Sequence, residues 1–160
     1  MLYSIYRSRV AYLITPDDTK EIVVIEENKR LVHRFVEEFW NHGNMEAADE
    51  LIEKGCVAWN QPFGPEGFKQ LFTIVRTAFP DLQFTIEDML AEGDQVAVRF
   101  VERGTHQGTW FGIPPTGKTI RVPGIAIFRI IKGKIVHQWS HNDFGGELQQ
   151  LGARIVPGDE

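Results

Sequence analysis

The chain has 160 residues, a single cysteine and a formal charge of −5, from 17 Lys plus Arg against 22 Asp plus Glu. That length suits one domain with one core, and the negative balance opposes non-specific attraction to nucleic acid or anionic lipid. Cys56 alone excludes an internal disulfide and a cysteine-rich zinc site, and it is expected to behave as a small buried hydrophobe.

Residues 1–25 read as an N-terminal extension, 26–153 as the domain and 154–160 as a tail. The apolar opening is interrupted by Arg7 and Arg9, so it is too short for a membrane span or a secretory signal, and a cytoplasmic location is expected. Thr15-Pro16-Asp17-Asp18 has the chemistry of a helix start. The spacing of Leu31, Val32, Phe35, Val36, Phe39 and Trp40 predicts a helix over 26–41, stopped by His42-Gly43-Asn44. Asn44 then caps a second helix over 45–54, which Gly55 is expected to end, and a short strand follows at 56–60. A loop at 61–65 leads to a third amphipathic helix over 66–79, broken by Pro80-Asp81.

From Leu82 the period changes to two. Strands are predicted at 83–91 and 95–103, turned at Glu92-Gly93-Asp94, and at 119–131 and 134–142, turned at Lys132-Gly133. A tight loop spans 112–118, and a short helix closes the chain by Leu151. Helices first and long meandering strands second mean an α+β fold, here a curved antiparallel sheet against three N-terminal helices. The strand at 119–131 is apolar on both faces, so helices should cover one side and a pocket or a partner subunit the other.

The segment His137 to Asp143 is the richest in chemistry, because strand alternation places His137, Trp139, His141 and Asp143 on one face. A carboxylate beside aromatic surface loses hydration, which raises its pKa toward the range useful for moving protons. Asp143 is therefore the acid/base candidate; its other reading is the cap of a helix over 144–151, and the two roles can coexist. His106 lies at even spacing from Val96, Val98 and Phe100, and is either a hydrogen-bonded structural residue or a group that polarises a substrate carbonyl. Phe39, Trp59, Asn60, Phe100, Trp110, Phe111, Trp139 and His141 are the candidate pocket lining, with core packing the alternative role of each aromatic. No HExxH, CxxC, GxGxxG, P-loop or GxSxG spacing occurs, so neither metal nor organic cofactor is expected.

Several segments together resemble the SnoaL-like polyketide cyclases. They are Glu27-Asn28-Lys29 through Phe39-Trp40-Asn41-His42-Gly43-Asn44, Gly67-Phe68-Lys69, Ala78-Phe79-Pro80-Asp81-Leu82, Gly104-Thr105-His106 with Gly112-Ile113-Pro114-Pro115-Thr116-Gly117-Lys118, and Lys134-Ile135-Val136 through Trp139 to Asp143 with Leu148-Gln149-Gln150-Leu151-Gly152. The resemblance implies the cone-shaped fold shared with ketosteroid isomerase and limonene epoxide hydrolase. It also implies an intramolecular aldol cyclisation of a small hydrophobic carbonyl compound, with an aspartate at the position of Asp143 as acid/base, and a homodimer or larger assembly. Where many relatives carry His-Asp or His-Asn this chain has Trp59-Asn60, and Gln138 stands where a histidine is common. These departures keep open a non-catalytic binding module, and an epoxide hydrolase-like enzyme is the remaining alternative.

Overall fold

The computed structural model describes residues 16–154. Helix α1 runs Pro16–Arg34 and continues without a break as a π-helical segment, Phe35–Asn41, through the expected boundary at residue 25. The wider π turn, marked by His42 N–H donating to the Glu37 carbonyl, brings Phe35, Val36, Phe39 and Trp40 into the interior together. Phe35 stacks on Phe39 at 5.4 Å and meets Phe68 and Phe128 edge-on at 5.5 and 5.9 Å. The Asn28 amide donates to the Gly93 carbonyl, tying α1 to a turn of the sheet.

Helix α2, Met45–Leu51, starts as expected at Asn44, whose side chain accepts from the Glu46 amide. It ends three residues before the expected limit. Ile52 is buried and pairs with Ile135, so the chain enters strand β1, Ile52–Ala58, there, and Gly55 is a strand residue instead of a helix stop. Long-range pairing has overridden a local stop signal. Trp59 and Asn60, both at positive φ (50° and 62°), turn the chain into the two-residue strand β2, Gln61–Pro62. Helix α3 spans Gly64–Ala78.

Strands β3 (Gln83–Glu92), β4 (Gln95–Thr105), β5 (Thr119–Ile131) and β6 (Lys134–Asn142) form a meander, and helix α4 (Phe144–Leu151) follows. The sheet order is β2-β1-β6-β5-β4-β3. It is mixed: β1 runs parallel to β6, while every other pairing is antiparallel. Irregularities at Ile86/Asp88 and Arg129/Ile130 help it curve. Along β5 burial alternates strictly, with Ile120, Val122, Gly124, Ala126, Phe128 and Ile130 inward. The inner face closes over α1, the π segment and α3, forming an aromatic core with Cys56 within it. A second cluster, Phe79, Leu82, Ile120, Val122 and Leu151, packs toward the C-terminal helix.

Candidate active site

The interior is not filled. A cavity of about 310 Å³ lies between the two clusters. The π segment contributes Phe35, Val36 and Trp40; α3 and the turn after it contribute Leu71, Val75, Phe79 and Leu82; Trp59 and Phe111 complete this apolar side. The sheet adds Phe84, Val98, Phe100, Ile120, Ala126 and Phe128. Polar groups gather on one wall, made by Glu102 of β4, Gln138, Ser140, His141 and Asn142 of β6, and Glu147 of α4.

Backbone geometry builds that wall. Gly124 lies across from Phe100 on one side and Asn142 on the other. A Cβ there would strike the Phe100 ring, so only glycine lets this ring lie against β5. The Asn142 amide then reaches the Glu102 carboxyl at 3.3 Å, past the intervening strand. Trp110 and Ile113 exchange backbone hydrogen bonds around Phe111 and Gly112, both at positive φ, which sets Trp110 edge-on to Phe79 at 5.5 Å. Phe111 in turn meets Phe144 at 4.7 Å at the cavity's edge.

The two carboxyls are unusual. Glu147 is only 3 % exposed. Burial pushes it up to about 7, opposed by the nearby Trp110 indole N–H, which falls short of hydrogen-bond geometry. Burial also pushes Glu102 up to about 7; repulsion from Glu147 adds to the rise, and the Asn142 amide opposes it. The cause is the apolar surroundings, which penalise a charge that no cation offsets. Among the described residues, no Lys or Arg lines the cavity. The Gln138 Oε1 and Trp110 Nε1 atoms are likewise buried without a hydrogen-bond partner, leaving an acceptor and a donor free for a ligand.

The sequence candidates divide. Trp59, Phe100, Trp110, Phe111 and His141 line the cavity. Phe39 is buried in the core, and Asn60 occupies the β1–β2 turn. Trp139 stacks on His137 at 3.7 Å and is 39 % exposed, because inward positions of β6 are Gln138, Ser140 and Asn142. His137 and Trp139 do share a face, as alternation predicts, but of the four residues only His141 lines the cavity. Asp143 is exposed and is not part of the lining; its Oδ1 accepts from the Gly146 amide at 2.9 Å, capping α4. His106 is fully buried outside the lining. Its Nδ1 accepts from the Thr116 amide and lies 3.0 Å from the Thr116 hydroxyl, which pins the loop that carries Trp110.

Glu102 and Glu147 are not among the sequence candidates, although the sequence carries a signal for both. Glu102 continues the even row Val96, Val98, Phe100, and Glu147 stands three residues after Phe144 and four before Leu151, on the apolar stripe of α4.

A model of the SnoaL-like polyketide cyclases matches residues 30–151. The chain belongs to the SnoaL-like polyketide cyclase family. This SnoaL-like domain is 31% identical over 130 residues to the aklanonic acid methyl ester cyclase DnrD of Streptomyces peucetius, covering 76% of this chain and 88% of the relative. It is 35% identical over 91 residues to the nogalonic acid methyl ester cyclase of Streptomyces nogalater, covering 56% and 67%. Among solved structures it resembles IdmH of Streptomyces antibioticus, with a TM-score of 0.72, 30% identity and coverage of 79% and 99%. It also resembles TsrD of Streptomyces laurentii, with a TM-score of 0.74, 27% identity and coverage of 81% and 97%.

The raised carboxyls link stability to pH. Each binds its proton more tightly folded than unfolded, so its stabilisation is complete below the ordinary carboxylate range and is lost as pH climbs through about 7. The Glu102→Gln/Glu147→Gln double variant lacks this loss. Its stability relative to wild type should rise between pH 5 and pH 8 by on the order of 2 kcal/mol in chemical denaturation. A constant difference across that range contradicts the assignment.

Proposed function

We propose that this protein is a cyclase that closes a ring by intramolecular aldol addition within an uncharged, hydrophobic carbonyl compound, using acid/base groups of its own. The observation that carries the reading is the aromatic cavity with two proton-binding carboxyls on one wall. Aldol closure needs a base for an acidic α-proton and an acid for the new alkoxide. It also needs a dry, apolar surface for the rest of the molecule. The cavity supplies both. The lack of cations among the described lining residues favours an ester over a free carboxylate, in keeping with the two relatives named for methyl esters. An epoxide hydrolase of the Asp-Arg-Asp type is less well supported, because no described arginine lines the cavity.

The direct test is incubation of the purified chain with aklanonic acid methyl ester and nogalonic acid methyl ester. Aldol addition leaves the mass unchanged, so the expected product is an isomer with altered chromatographic retention. An ester retained unaltered at equimolar stoichiometry in native mass spectrometry supports the binding-module reading instead. An ester neither converted nor bound contradicts both for this ligand class.

We also propose a homodimer through the outer face of the sheet. Ile125 and Trp139 are 55 % and 39 % exposed there, and Ile127 pairs with Trp139 across β5 and β6. No described residue covers this apolar row. Light scattering should give twice the chain mass for wild type and a monomer for Trp139→Glu; a monomeric wild type overturns the proposal.

A further inference from the structure

We infer that Gln138 is a specificity-determining residue of the cavity, and that its amide oxygen takes a hydrogen bond from a hydroxyl group of the ligand. This rests on the reading of the cavity as the site of an uncharged ligand, and it does not depend on which reaction follows.

Strand β6 places the residue. It lies between β1 and β5, so its backbone donors and acceptors point sideways into the two ladders while its side chains alternate between the faces of the sheet. Gln138 and Ser140 fall on the inward side and line the cavity. Their partners on the flanking strands carry no polar side chain: Gln138 pairs with Ala58 of β1 and Phe128 of β5, and Ser140 pairs with Ala126. Within this apolar frame Gln138 is only 6 % exposed.

One half of the amide is held and the other is not. The Nε2 atom donates to the Ser140 hydroxyl at 3.2 Å. The Oε1 atom is buried and has no hydrogen-bond partner among the described residues. Such an atom is the exception in a native structure, because a buried acceptor without a donor has given up its water for nothing. The neighbouring amide of Asn142 is already directed at Glu102, at 3.3 Å. Since the side chain lines the cavity, a bound molecule is the partner that remains.

The chemistry of that partner follows from the atom. An amide oxygen accepts and cannot donate, so it pairs with an O–H and repels the lone pairs of a carbonyl or ether oxygen. Trp110 Nε1 is the opposite kind of orphan in the same lining, a donor suited to a carbonyl oxygen. The two atoms select a ligand that carries both a hydroxyl and a carbonyl on an otherwise apolar frame. They also orient it, with the hydroxyl at β6 and the carbonyl at the loop that carries Trp110. A ligand without the hydroxyl leaves Oε1 desolvated and unpaired, which is the condition under which a site discriminates most strongly.

The experiment uses the full chain and two flat probes, 1-naphthol and its methyl ether 1-methoxynaphthalene, of which only the first donates a hydrogen bond. Gln138→Met keeps the length of the side chain and removes the acceptor. In isothermal titration calorimetry this variant should bind 1-naphthol about tenfold more weakly than wild type. It should bind the ether as tightly as wild type does, or more tightly, which also reports that the cavity has kept its shape. A second measurement needs no variant: in carbon NMR of wild-type protein labelled at glutamine, the Gln138 side-chain carbonyl should shift with 1-naphthol and not with the ether. Equal losses for both probes, no loss for 1-naphthol, a carbonyl that responds alike to the two, or a wild type that binds neither each overturns the assignment. Neither probe can undergo aldol closure, so failure of the cyclase reaction leaves this comparison standing.

Discussion

A carboxyl group enclosed by aromatic rings, with no cation near it, keeps its proton well above the acidity at which it would lose it in water. This constraint governs the cavity. Half-buried Glu102 and buried Glu147 share a cavity with Phe100, Trp110 and Phe144, and no described lysine or arginine is in its lining, so the wall they form is neutral or singly charged near neutral pH. What the wall accepts follows from that state: a ligand with hydrogen-bonding oxygen atoms and no net negative charge. Its unsatisfied neighbours, Gln138 Oε1 and Trp110 Nε1, extend the same offer of one acceptor and one donor.

The fold exists around this wall because the sheet curves farther than side chains can fill. Strand β5 contributes an uninterrupted inward row, the π segment widens the helix to push Phe35, Val36 and Trp40 inward, and the remaining space is the cavity. Small residues place the polar groups within it. Gly124 lets Asn142 reach Glu102 across β5, and Gly146 lets Asp143 cap the turn that carries Glu147. Gly108 lies so close to the Thr77 carbonyl that no side chain fits, which holds the Trp110 loop against the end of α3 together with the buried His106.

Most of the architecture was legible in the sequence because its periods are clean. The hairpin strands over 119–131 and 134–142 and the Asn44 cap come directly from alternation and turn chemistry. Local reasoning stopped at pairings between distant residues: Ile52 joins β1 through Ile135, which shortens α2 and makes one strand pair parallel. The site was half legible. Five lining residues were named, yet alternation along β6 fixes only that Trp139 and Gln138 face opposite ways, and helix packing decides which of them faces inward. Residue type singles out His106, and the resemblance singles out Asp143. The acids embedded in apolar rows, Glu102 after Phe100 and Glu147 between Phe144 and Leu151, carried the stronger physical signal, since a charged residue in such a row must be neutralised or used.

The central claim is that the cavity holds a neutral carboxylic acid at a pH where exposed carboxyls are ionised. Difference infrared spectroscopy of the intact protein between pH 6 and pH 8 observes this directly through the carbonyl stretch of a protonated carboxyl group. The account predicts that the band is present at pH 6, fades toward pH 8 and is missing from the Glu102→Gln/Glu147→Gln variant. A wild-type spectrum without that band at pH 6, or one in which the double variant retains it, contradicts the account.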